Sequence, residues 1–227
     1  MLKVFFSDIS GAAGVENAEI LCRVRKEYTD GIKEPYRKRQ SVLVWKLLEY
    51  VFYRYFSIKD VVFSLDKSGK WTSDQTDLFF SLSHSGNIVA VAVSDSERTG
   101  VDVEKVSEKI FKLVNKLLIN GNKSTNDGKP TNGNKSTNDG KSLNGEKVFS
   151  CDHESESLQD GSSLKNVSAE YLTFRWTEKE SAFKSASKNP VFTSCFVFDK
   201  EKNRYCLTAA SDNGGMELIK VSLKELI

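Results

Sequence analysis

A mixed α/β chain, with strands in both halves and helices between them, is what the sequence predicts. Three observations carry the prediction. Apolar residues recur at helical spacing over 36–55, and residues 169–187 also read as a helix. Two short apolar, β-rich runs flank Ser83-His84-Ser85-Gly86-Asn87. A polar tract from Asn120 to Lys147 divides the chain.

In chain order, residues 2–6 read as a first strand and 16–28 as a helix. The helix at 36–55 places Val42, Leu43, Trp45, Leu47, Leu48, Val51 and Phe52 at helical recurrence, with Arg37, Lys38 and Arg39 at its start. Val61 to Leu65 is a short strand candidate, and Asp66 to Lys70 follows as a turn. Leu78 to Leu82 and Ile88 to Val93 form two strands, and Gly100 to Glu104 a third; their closeness in sequence predicts an antiparallel meander. Residues 107–118 carry Ile110, Phe111, Val114, Leu117 and Leu118 in a helical pattern.

The character then changes. From Asn120 to Lys147 the only large apolar residue is Leu143, and the nonamer starting at Gly121 recurs 12 residues later at Gly133. Such a tract has nothing to bury and cannot offset its ordering entropy, so it predicts a disordered or mobile surface loop. After the helix at 169–187, residues 191–198, 204–209 and 216–221 read as strands.

Composition narrows the classes. The chain has 227 residues, 39% apolar and 28% charged, which suits a globular protein. Its 33 basic and 31 acidic residues leave a net charge of +2, so a dedicated nucleic-acid binder is disfavoured. Cys22, Cys151, Cys195 and Cys206 lack CxxC spacing and read as reduced thiols. The apolar run at Met1 to Phe6 is too short for a signal peptide, and no stretch approaches the roughly 20 apolar residues of a membrane helix. The expectation is a cytoplasmic protein that is not a membrane protein.

Three groups of residues carry chemistry. Asp102 and Glu104 stand at i and i+2 of a strand, so they share one face while Val101 and Val103 face the core. Carboxylates that close repel unless a cation lies between them; the plainer alternative is a solvated strand face. Trp176, Glu180 and Lys184 form an i, i+4 helical stripe, where Glu180 and Lys184 have the orientation of an ordinary helix ion pair. Ser83-His84-Ser85-Gly86, between two buried strands, can offer N–H groups and an imidazole to an anion, or can simply be a hairpin turn.

The order of these groups resembles the 4'-phosphopantetheinyl transferase superfamily, in particular its pseudo-dimeric, surfactin-synthetase-activating type. That family shows a Gly-Lys element, a Ser-His-Ser segment, G-[IV]-D-x-E and then W-x-x-K-E-[AS]-x-x-K. The corresponding residues here are Gly69-Lys70, Ser83-His84-Ser85, Gly100-Val101-Asp102-Val103-Glu104 and Trp176 through Lys184. The match covers residues 69–184.

The resemblance implies two similar α/β halves related by a pseudo-twofold, each a small antiparallel sheet with packed helices. Their implied extents are 1–100 and 101–227, the second carrying the insertion at about 120–147. It also implies a monomer that transfers phosphopantetheine from coenzyme A to a serine of an acyl or peptidyl carrier protein. Mg²⁺ would be held by Asp102, Glu104 and Glu180. Lys184 would contact the coenzyme A phosphates, and Lys70, Ser83 and His84 those of its adenosine bisphosphate portion. Arg39 is the best N-terminal candidate for the same task.

Some residues depart from the family pattern. Trp71 follows Gly69-Lys70 where the family has proline. A Phe-Ser-x-x-Glu element is matched by Phe149 through Glu154 with the glutamate one residue late, which makes Glu154 the first candidate for a general base, with Glu180 or a metal-bound water as rivals. Other classes compatible with the same residues are a Mg²⁺-dependent nucleotide phosphohydrolase and a non-catalytic binding module for coenzyme A or a carrier protein.

Overall fold

The computed structural model describes residues 1–15, 18–20, 22–59, 61–67, 69–114 and 167–227. Glu154, Cys151 and the tract at 120–147 lie outside the described residues. Met1–Lys112 and Ser168–Ile227 form one compact unit, and Leu113–Val167 is a second. The first unit holds nearly everything that can be described.

Its elements in order are β1 (Lys3–Asp8), α1 (Arg23–Asp30), α2 (Pro35–Phe56), β2 (Ser64–Leu65), β3 (Trp71–Thr72), β4 (Phe79–Ser85), β5 (Ile88–Ser94) and β6 (Thr99–Lys105). Residues 109–114 are helical (α3). Then come α4 (Ala169–Ser185), β7 (Val191–Phe198), β8 (Arg204–Ser211), β9 (Glu217–Lys220) and a closing 3₁₀ turn, Leu223–Glu225. The fold is mixed α/β, with small, mainly antiparallel sheets and helices packed on them.

Two sheets organise the unit, in the orders β4-β5-β1-β9 and β6-β8-β7; β2 and β3 form a separate hairpin. The period-2 alternation of β5 explains their stacking. Val89, Val91 and Val93 join Phe5 and the apolar face of α2 in one core. Ile88, Ala90 and Ala92 turn the other way and join Val101, Val103, Tyr205, Leu207 and Ala209 from the second sheet. β5 is therefore buried on both faces, which is why it reads as an unbroken apolar run. α2 packs on β1, β4 and β5, and α4 on β6 and β8, so the layers run helix, sheet, sheet, helix.

Local chemistry sets the helix ends. Pro35 opens α2, and the Glu34 carboxylate accepts the Tyr36 and Arg37 N–H groups. Ser168 caps α4 by accepting from Tyr171 N–H.

Two topological findings differ from the sequence expectation. β6 does not extend the β4–β5 hairpin into a meander; it pairs with β8, Asp102 opposite Thr208. The reason is that the second edge of β5 is taken by β1, Phe5 opposite Val91, so β6 finds no free ladder there and meets β4 only through serine hydroxyls. In addition, β9 crosses from the C-terminal part into the first sheet and runs parallel to β1, Phe5 opposite Ile219.

Candidate functional site

β4 and β6 are edge strands of different sheets, and the site is built where they face each other. Ser81, Ser83 and Ser85 alternate along β4 and so share one face. Their hydroxyl oxygens accept the backbone N–H of Val101 (3.1 Å), Val103 (3.2 Å) and Lys105 (3.1 Å) on β6. Side chains thus satisfy an edge that would otherwise leave its donors unpaired.

Two of these hydroxyls also donate. Ser83 Oγ donates to Asp102 Oδ1 at 2.8 Å, and Ser85 Oγ to Glu104 Oε2 at 2.7 Å. Asp102 is not on a solvated face: only 4% of it is exposed. Burial pushes its carboxyl above the ordinary range, opposed by the nearby Lys184 ammonium. Burial also raises Glu104; the Ser85 hydrogen bond and the Lys184 charge oppose this, and the charges of Asp102 and Glu180 add to it.

Lys184 reaches across from α4. Its Nζ donates to Asp102 Oδ1 at 2.6 Å, to Val101 O at 3.1 Å and to Ser83 Oγ at 3.3 Å, which uses all three ammonium hydrogens. The i, i+4 ion pair with Glu180 that the sequence permits is not the bond Lys184 makes. Asp102 Oδ2, in contrast, is buried with no hydrogen-bond partner among the described residues.

These groups open onto a cleft of about 340 Å³, also lined by Arg25, Tyr28, Trp71 and His84. Arg25 comes from α1, is 4% exposed, and lies 5.0 to 5.4 Å from the ring centres of Tyr28, Trp45 and Trp71. Its Nη2 donates to Ser41 O (2.7 Å) and Ser41 Oγ (2.8 Å), while Nε has no partner among the described residues. Burial pushes its pKa down to about 10, so it stays charged at neutral pH. Packing around the ring, followed by the charges of Arg25, Lys184 and Arg37, pushes the His84 imidazole down to about 4, although the residue as a whole is exposed.

The other sequence candidates fall elsewhere. Lys70 Nζ donates to Lys184 O at 2.7 Å, so it ties the end of α4 to the loop before β3; the cleft is lined instead by its neighbour Trp71. The Arg39 guanidinium lies over the Tyr36 ring at 5.3 Å, with Nη1 3.4 Å from Ala12 O, and is not among the cleft residues. Glu180 is half-buried on α4, near enough for its charge to be felt at Glu104. Arg25 is not singled out by the sequence, and Ser85 enters there only within the Ser83-His84-Ser85 segment, with no role of its own. The alternation Ser81, Ser83, Ser85 is a readable signal; for Arg25 nothing local separates it from Arg23 or Arg37.

Among the described residues no three His, Cys, Asp or Glu side chains form a ready ligand set. A hard divalent cation does not need three. Mg²⁺ is commonly held by one or two carboxylates and completes its shell with water and substrate phosphate oxygens. Two carboxylates side by side, one with an orphaned buried oxygen, fit that requirement. Of the remaining groups, Arg25 and a neutral His84 suit phosphate oxygens, and Lys184 adds positive charge beside them. Compared with known proteins, the chain matches no family model and no curated protein.

Proposed function

We propose that this chain transfers the 4'-phosphopantetheine group of coenzyme A to a serine hydroxyl of an acyl or peptidyl carrier protein. The observation that carries the reading is the meeting of two carboxylates, the buried Asp102 and the half-buried Glu104, with Arg25, His84 and Lys184 around one cleft. Coenzyme A presents a pyrophosphate and a 3'-phosphate, and this combination of divalent-cation ligands and fixed cations is complementary to both.

Arg25, already desolvated and held by aromatic rings, binds a phosphate with little reorganisation. Lys184, one turn beyond Glu180 and held against Asp102, would add positive charge beside the pyrophosphate as its charge develops. Ser83 orients Asp102, and the neutral His84 can donate one N–H to a phosphate oxygen while acting as no counter-charge. Asp102 and Glu104, with Glu180 beside them, would hold Mg²⁺, which when bound supplies charge neutralisation at the phosphoryl oxygens. The carrier serine oxygen forms a bond to the β-phosphorus, the bond to the bridging oxygen breaks, and adenosine 3',5'-bisphosphate leaves. The serine proton passes to a base, for which Glu154 remains the sequence candidate.

The test is direct. The full chain is incubated with coenzyme A, Mg²⁺ and apo carrier proteins, and intact masses are recorded. Wild type is expected to add one phosphopantetheine unit, and Asp102→Ala or Glu104→Ala to abolish the addition while the fold persists. Carriers that never gain mass, or full activity in both variants, overturn the reading. Inorganic phosphate released from a nucleotide without any carrier would favour a phosphohydrolase instead.

A further inference from the structure

Ser85 has a geometry that its neighbour Ser81 lacks, and the difference points to a task. A hydroxyl has one proton and two lone pairs. At Ser85 a lone pair accepts the Lys105 N–H at 3.1 Å, and the proton goes to Glu104 Oε2 at 2.7 Å. The backbone N–H can only donate, so it fixes the direction in which the hydroxyl proton points. Ser81 makes the equivalent backbone bond, to Val101 N–H at 3.1 Å, but bonds no carboxylate among the described residues. Ser81 is thus a strand link alone, and Ser85 is a strand link with a carboxylate attached.

Glu104 needs such a hold. It has three rotatable side-chain bonds, it is half-buried, and the charges of Asp102 and Glu180 act against its ionised form, offset in part by Lys184. A glutamate under that repulsion lowers its energy by swinging away from Asp102. The Ser85 bond opposes the swing at Oε2 and leaves Oε1 as the oxygen able to accept a new partner. Ser83 treats Asp102 in the same way at Oδ1, and there the second oxygen is the orphan, Oδ2. The two serines therefore act alike, each occupying one oxygen of a carboxylate on the facing strand.

We infer that Ser85 is a positioning residue for a divalent-cation site: oriented by the Lys105 N–H, its hydroxyl clamps one oxygen of Glu104 and presents the other to the cation. The inference rests on the cation role given to Asp102 and Glu104 above. Ser83 is a poorer test of the same idea, because its oxygen also accepts from Lys184.

The experiment measures Mn²⁺ binding to the full chain by the loss of the free-ion electron paramagnetic resonance signal, without coenzyme A or carrier. Ser85→Ala is expected to weaken Mn²⁺ affinity about tenfold or more, the usual effect of removing a partner that orients a metal ligand. Ser85→Cys, close in volume but a weak donor, is expected to weaken it too and covers the case in which the alanine variant does not fold. Ser85→Thr keeps the hydroxyl and is expected to restore binding. Ser81→Ala removes an equal backbone bond and is expected to bind Mn²⁺ as wild type does, whatever its melting temperature. Wild-type affinity in both Ser85→Ala and Ser85→Cys, or an equal loss in Ser81→Ala, overturns the inference and leaves the cation site standing. A wild-type chain that binds no Mn²⁺ overturns the cation reading itself, and this inference with it.

Discussion

Gly100 is the position where one added methyl group should do the most damage. The buried residues of α4 include Thr173, Thr177, Ser181 and Ser185, a stripe of small side chains at every fourth position. Their hydroxyls bond back to carbonyls one turn earlier, as Ser181 Oγ does to Glu178 O, so the stripe buries no unmet polar group. This lets α4 lie directly on β6. A Cβ on Gly100 would stand 2.0 Å from Ser181 O and 2.6 Å from Ser185 N. Both are backbone atoms, so no rotamer change relieves the contact; the helix must move by about 1.4 Å before the oxygen reaches the 3.4 Å of ordinary contact. Overpacking of this kind costs about 1–3 kcal/mol, and with rigid backbone on both sides the upper figure applies. At about 2–4 °C per kcal/mol for a domain this size, Gly100→Ala should melt roughly 6–12 °C lower. The displacement also moves Lys184 and Glu180 away from Asp102 and Glu104, so transfer activity should fall even at temperatures where the variant is folded. The melting curve is read by circular dichroism, and transfer to an apo carrier by intact mass. A variant with unchanged melting temperature and unchanged transfer refutes the close-approach argument.

Two other predictions concern the charges in the cleft. Arg25→Met should keep the fold, because the buried guanidinium lies among rings and an apolar side chain suits them, while coenzyme A binding by calorimetry should weaken about ten- to hundredfold, the equivalent of one or two charge-assisted hydrogen bonds; unchanged affinity would remove Arg25 from the phosphate site. His84 should titrate near pH 4 rather than near 6.5, read from its ring protons by NMR. Its folded pKa lies below the unfolded one, so the unfolded chain takes up the proton first, and stability should decline as pH falls from about 6.5 towards about 4. A midpoint at or above 6.5 would show that neither the packing of the ring nor its positive surroundings act as described.

Legibility followed the range of the interactions. The strand at Ile88–Ser94 and the helix at Pro35–Phe56 were readable because each buries long apolar faces whose period is local to the element. The partner of β6 was not, since Thr208 and its neighbours lie about a hundred residues further on, and no periodicity in Gly100–Glu104 names them. The same limit governs the site. Asp102 and Glu104 were found as a pair from the i, i+2 rule, yet the burial of Asp102 depends on β4 standing opposite, which a D-x-E pattern cannot report. The sequence points to Arg39 because it opens the long helix, and nothing in the sequence points to Arg25. The choice depends on which guanidinium reaches Trp45 and Trp71, a tertiary contact, and α1 carries too few apolar residues to show which face turns inward.

Lys184 shows how burial decides between two partners that the sequence offers equally. A solvent-facing pair with Glu180 at i, i+4 is worth about 0.2–0.5 kcal/mol. Leaving Asp102 ionised, 4% exposed and without a cation would cost several times that. The ammonium therefore goes to the buried carboxylate, 2.6 Å away, and Lys70 fixes the end of its helix by donating to Lys184 O at 2.7 Å. One oxygen of Asp102 is then held twice, by Ser83 and by Lys184, and the other not at all. A purely structural ion pair gains nothing from that asymmetry, because an unmet buried oxygen only subtracts from stability. It is the arrangement expected of a carboxylate whose second oxygen is kept for a ligand.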